Sequence, residues 1–284
     1  MSARLGENRY SEAGIRLLKL NRLGDRHELR DLTVDVSFEG DFETSHTRGD
    51  NARILPTHTM RNTVYSIARD RASGDIEKFA LALTQHFLEQ NPQVRTVYVR
   101  VAEEQWTRVS IAGRPHGCAF SRGGLERRTA LVERSAARLI VESGLEGLRL
   151  VKTRNAAFVG FLRDRFTTLP ESGDGMLATE LNARWRYGWS EVPFGPQWQQ
   201  VRQVLLETFA EHDSRSLQHT LFTMASAALE QCPPLSEIRL RLPAFHPVLV
   251  DLSPFAMENH EVFIPGEVPH SVAEAVVRRD EMAG

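Results

Sequence analysis

"HELRDLTVDVSFEGDF", residues 27–42, alternates apolar and polar side chains through Leu32, Val34, Val36 and Phe38. A period of two predicts a strand with one buried face. Upstream, "GIRLLKLNR", residues 14–22, reads as a second strand, and the polar residues 21–26 join the two as a hairpin. After Pro56 the period changes. Met60, Val64, Ile67 and Ala68 fall on one side of a helix, and "DIEKFALALTQHFLEQ", residues 75–90, forms another after the break at Ser73 and Gly74. "VRTVYVRV" (94–101) and "WTRVSIAG" (106–113) then return to strand.

The second half repeats this order with little residue identity. Strand-like segments run from about Arg128 to Trp189. A helix follows with Trp198, Val201, Leu205 and Phe209 on one face, then another with Leu217, Leu221, Met224 and Ala228. "EIRLRLP" (237–243) and "HPVLVDL" (246–252) close the set as strands. The expected fold is therefore α+β: two units, residues 1–126 and 127–284, each an antiparallel sheet with its helices gathered on one face.

Composition narrows the function classes. The chain has 284 residues, 41% apolar and 25% charged, enough to bury a sizeable core, and its net charge of -2 offers no strong field for nucleic acid or an anionic membrane. No apolar run is long enough for a membrane span, and the polar start "MSARLGENRY" lacks a signal-peptide core, so the cytoplasm is the expected location. Cys118 and Cys232 stand far apart, which fits reduced thiols. "RPHGCAF" puts His116 near Cys118, but no further ligand stands at zinc spacing, so no metal is expected. "FSRGGLERR" lacks a phosphate-loop frame and reads as a turn between strands.

Several separated stretches, in order along nearly the whole chain, resemble the urate oxidase family. They are "YSEAGIRLLK" (10–19), "TSHTRGDNARILPTHTMRNTVYSIAR" (44–69), "FVGFLRDRFTTLPESGDG" (158–175), "AEHDSRSLQHTLF" (210–222) and "LPAFHPVLVDL" (242–252). The resemblance implies a tandem T-fold, a tunnel-forming homotetramer with sites between subunits, and catalysis without organic cofactor or metal. A small planar N-heterocycle and molecular oxygen would be the substrates.

Carried over residue by residue, the resemblance is incomplete. Thr57, Phe158, Gln218 and His246 match the family pattern, with Leu217 beside the glutamine. The family's Lys is Glu12 here, its Asp after the Thr is His58, its Arg is Gly175, and its LPN Asn is Ala244. The implied catalytic set is Glu12, Thr57, His58 and His246. The implied substrate-binding set is Phe158, Gly175, Leu217, Gln218 and Ala244. Each also has a plainer reading: Thr57 as a helix N-cap, Glu12 and His58 as solvent-facing groups, Phe158 as core.

If Glu12 is ionised, the replacements leave the site more negative by roughly two charges, and two unit charges about 4 Å apart interact by roughly 4 kcal/mol at an effective dielectric near ~20. Urate, as an anion, is then expected to bind poorly. A ring carrying N–H donors where urate carries carbonyls suits Glu12 better, with Glu12 as base, Thr57 as relay and His246 as second proton carrier. Two alternatives stay open: urate oxidation by a rearranged site, and a heterocycle-binding homologue without catalysis.

Overall fold

Strands β1 (Arg9–Leu23) and β2 (Arg26–Gly40) pair antiparallel from Arg9↔Glu39 to Leu23↔Arg26, so the expected hairpin forms with a turn at Gly24 and Asp25. Leu32, Val34, Val36 and Phe38 are all fully buried, as their alternation requires. The computed structural model describes residues 3–189, 191–269 and 271–280. Two units divide the chain, Met1–Gly144 and Leu145–Gly284.

In the first unit, β1 and β2 are followed by α1 (Glu43–Arg48), α2 (Thr57–Arg71), α3 (Ile76–Gln90), β3 (Val94–Ile111) and β4 (Arg114–Ser135), with strand order β1-β2-β3-β4. Met60, Val64 and Ala68 of α2 and Phe79, Leu83 and Phe87 of α3 pack on the buried strand face. Phe87 meets Phe38 edge-on at 5.1 Å between ring centres. Each such large apolar side chain contributes roughly 1.5–3 kcal/mol on burial.

One irregularity in β1 bears on function. Glu12 pairs with Val36 and Ile15 with Val34, so Ala13 and Gly14 together oppose Asp35 alone. This is a β-bulge. Gly14 takes φ 69°, a backbone that favours glycine, and its N–H donates to Asp35 Oδ1 at 2.7 Å. The extra residue lets Tyr10 and Glu12 share the helix-covered face with Ile15 and Leu17.

In the second unit the order is β5-β6-β7-β10, from β5 (Leu139–Lys152), β6 (Leu177–Tyr187), α4 (Phe194–Glu211), α5 (Leu217–Gln231), β7 (Leu235–Phe245), the short β8 (Val248–Leu249) and β9 (Phe263–Ile264), and β10 (Ser271–Arg278). Leu181, Ala183 and Trp185 alternate inward along β6, and Ile238, Leu240 and Leu242 along β7. Trp198, Val201 and Leu205 of α4 and Leu221, Met224 and Ala228 of α5 cover them.

Several sequence expectations change here. The division expected at residue 126/127 falls inside β4, which runs on to Ser135, and the units part after Gly144, with β5 running through that point. β3 is one strand where two were expected, and "FSRGGLERR" lies within β4, whose partner β3 keeps pairing with it at Arg122, Arg127 and Arg128. Residues 153–176 are mostly irregular. "HPVLVDL" supplies only the two residues of β8; the strand that follows β7 in the sheet is β10.

Candidate functional site

The site residues expected from the sequence fall into two groups, one in each unit. In the first unit, the bulge in β1 presents Glu12 toward the N-terminal end of α2, which carries Thr57 and His58 in its first turn and Arg61 one turn on. Arg61 Nε donates to Glu12 Oε1 at 2.9 Å, and its Nη2 donates to the same oxygen. The Glu12 side chain is 13% exposed and that of Arg61 45%. Arg61's hydrogen bonds hold the Glu12 carboxyl below the usual range, against a partial desolvation that pushes it up; the nearby Thr57 hydroxyl and His58 ring reinforce Arg61. Glu12 is thus a held anion.

Thr57 and His58 are exposed in the single chain. Thr57 is not the N-cap: that position belongs to Pro56, and no side chain caps the helix. A threonine hydroxyl relieved of capping is free for other partners.

In the second unit, Phe158, Gly175, Leu217, Gln218, Ala244 and His246 all line one cavity of about 490 Å³, within the range of small-molecule sites. Backbone pairing fixes its walls. Phe158 N–H donates to Ser172 O at 2.7 Å and Ser172 N–H returns to Phe158 O at 3.1 Å, while Ala157 N–H donates to Ser214 O at 2.7 Å. Phe158 is 42% exposed and stacks on Phe161 with ring centres 4.9 Å apart and planes 13° apart. Phe161 is not among the residues that line the cavity.

Gln218 sits in the first turn of α5, capped by Ser216, whose Oγ accepts from His219 N–H at 3.1 Å. The helix therefore opens its positive end at the cavity beside an amide that can donate and accept. His246 is exposed, with Nε2 3.1 Å from Ser271 Oγ, and Ala244 is buried at the end of β7. Among the described lining residues none is Asp, Glu, Lys or Arg. Gly175 admits no side chain without adjustment: a Cβ there would lie 3.0 Å from Ser172 Oγ and 3.1 Å from Ala156 O.

Sequence reasoning missed Arg61, although it lies one helical turn beyond Thr57 and His58, a spacing that brings side chains together. It also did not name the hydroxyls of Ser172, Ser214 and Ser271 in the cavity wall, although the first two lie inside the resembling stretches 158–175 and 210–222. Among the described residues no group of three or more His, Cys, Asp or Glu is placed to hold a metal. Cys118 Sγ approaches His116 Nδ1 at 3.8 Å. Among the described residues no helix is long and apolar enough to cross a membrane.

Residues 8–133 and 141–274 match the family model described as Uricase. The chain is 42% identical to the uricase of Arthrobacter globiformis over 277 residues, covering 97% of this chain and 90% of that one. It is 33% identical to the uricase of Aspergillus flavus over 291 residues, covering 96% of each. The crystal structure of the Arthrobacter globiformis uricase superposes with a TM-score of 0.93 at 41% identity, covering 100% of this chain and 98% of that one. The two units are the tandem T-fold expected from the sequence.

Proposed function

The chain belongs to the uricase family, and on that premise we propose that it catalyses cofactor-independent oxidation of a planar purine-type ring by molecular oxygen, with urate the first ring to test. The observation that carries this reading is the convergence of Phe158, Leu217, Gln218 and His246 on one cavity. Members at this similarity are named uricases, and uricase-family proteins are oxidoreductases.

The sequence argued against urate because Glu12 reverses the sign of a lysine. Arg61 weakens that argument. It pairs with Glu12 in two hydrogen bonds, so the carboxylate adds little net charge to its surroundings. The positive end of α5 adds a modest attraction for an anionic ring edge.

The reading assigns the following chemistry. A flat ring stacks on Phe158, and the Gln218 amide meets both a carbonyl and an N–H on its edge. Thr57 takes a ring proton while its own passes to Glu12, and His246 handles the second proton. For urate, one oxygen and one water are consumed, two electrons pass from the ring to oxygen, and 5-hydroxyisourate and hydrogen peroxide form. In this proposal the protein is a cytoplasmic homotetramer with sites between subunits, so that Glu12, Thr57 and His58 of one copy complete the cavity of another.

A second reading rests on a cavity lining with no Lys or Arg among its described residues and on Gly175, where an arginine is expected by resemblance. An anion without a cation in an apolar pocket is costly to desolvate. On this reading the substrate is a neutral ring with N–H donors on its edge. Oxygen uptake measured with urate, and with neutral oxo- and aminopurines, in the presence of a chelator separates the two. Uptake with urate supports the first and uptake only with neutral rings the second; silence with all, alongside calorimetric ring binding, leaves a non-catalytic binder.

A further inference from the structure

We propose that Arg61 is a positioning residue that fixes Glu12 as the proton-accepting end of the relay that starts at Thr57. The proposal rests on the reading above, in which Thr57 and Glu12 move a proton from the bound ring. Both guanidinium hydrogen bonds go to Glu12 Oε1, so Arg61 leaves the lone pairs of Oε2 to another donor. Thr57 and Arg61 are four residues apart on α2, so one rigid helix carries both the relay hydroxyl and the cation that orients its acceptor.

The transfer balances without further reactants. A ring N–H bond breaks as Thr57 Oγ takes the proton, the Thr57 O–H bond breaks, and a new O–H bond forms at Glu12 Oε2. The ring keeps the electron pair and becomes the electron-rich species that oxygen oxidises. With its carboxyl held low, Glu12 is an acceptor across the neutral range and does not serve as a resting acid donor.

Other charged and titratable groups near Glu12 are few. On α2 they are His58 and, beyond Arg61, Tyr65, which also acts on Arg61. On β2, opposite the bulge, Asp35 accepts from Gly14 N–H at 2.7 Å and faces Arg100 Nη1 of β3 at 3.5 Å. None of these reaches the carboxylate as Arg61 does.

The test uses the full chain as wild type, Arg61→Gln and Arg61→Lys, with Glu12→Gln to identify the Glu12 carboxylate band by infrared difference spectroscopy. In wild type the band persists to a pH below the ordinary glutamate midpoint of ~4.3. Arg61→Gln should raise that midpoint toward the ordinary glutamate range, and Arg61→Lys should restore most of the wild-type lowering. The acid limb of kcat/KM should move in parallel, and Tm at neutral pH should fall modestly in Arg61→Gln and recover in Arg61→Lys. A midpoint unchanged in Arg61→Gln overturns the proposal, as does an acid limb that stays put while the midpoint moves. If no ring is consumed, the proposed function falls, and the carboxylate titration alone still upholds or overturns Arg61's hold on Glu12.

Discussion

The two groups of site residues are built on opposite physical plans. In the first unit the groups are ionic and compensated, set on a bulged strand and the N-terminal end of a 15-residue helix. In the second no Asp, Glu, Lys or Arg stands among the described lining residues, and most of the cavity wall is irregular backbone held by cross-bonds such as those between Phe158 and Ser172. The first unit answers a reversed charge with a new partner. At Gly175 and Ala244 the second has small groups in place of the larger side chains the resemblance leads one to expect. In the proposed reaction the first proton transfer would then reside with the first group, and ring selection and the second proton with the second.

That contrast breaks most readily at Thr57. Thr57→Val keeps the shape and removes the hydroxyl; since no cap bond is lost, Tm should hold while kcat/KM falls by about 10²-fold or more. Steady-state oxygen uptake checks it, and an active Thr57→Val enzyme would remove the relay from the first unit. Gly175→Arg attacks the other side. Crowding against Ser172 and Ala156 should cost about 1–3 kcal/mol in thermal unfolding, and calorimetry should show anionic rings gaining at least about tenfold over neutral ones.

Smaller changes sharpen the picture. Gln218→Ala should raise KM by about tenfold, the loss of a ligand hydrogen bond worth roughly 1–1.5 kcal/mol, with little effect on kcat. Phe158→Leu should weaken ring binding by about 0.5–1.5 kcal/mol in the same titration.

The smallest effect is one of pH. Burial lowers the His212 pKa, with His219 and Lys152 adding to it, and its Nε2 is buried without a hydrogen-bond partner. A histidine lowered in the folded state contributes stability that is complete above its unfolded value of about 6.5 and is lost as pH falls through the folded value. Glu12, lowered by Arg61, keeps its contribution until far more acid conditions. Between pH 7.5 and 5.5, hydrogen-exchange protection, taken relative to the intrinsic exchange rate at each pH, should therefore fall around residues 212–218 before it does around residues 57–61, and His212→Gln should flatten that dependence.

Much of this was readable from the chain. Period two in residues 27–42, the helical spacing of Met60, Val64 and Ala68, and that of Trp198, Val201 and Leu205 follow from which side chains must leave water, and those elements formed as expected. Phe158, Gly175, Leu217, Gln218, Ala244 and His246 were named by motif, and the fold gathers them in the second-unit cavity. What stayed hidden depends on contacts distant in sequence. The Glu12–Arg61 pair spans 49 positions and needs the bulge at Gly14 to turn the carboxylate inward. Residues 153–176 are irregular because their backbone bonds go to Ser214 and to one another, which no local period encodes. β10 escaped notice because its partner, β7, already had a strand-like segment beside it in the sequence.

The central claim is that a flat purine-type ring lies on Phe158 with its edge at Gln218. A crystal of the assembled protein grown anaerobically with urate tests it most directly. The account predicts ring density parallel to Phe158 and within hydrogen-bond reach of the Gln218 amide. Clear urate density elsewhere, with this cavity holding only water, would contradict it.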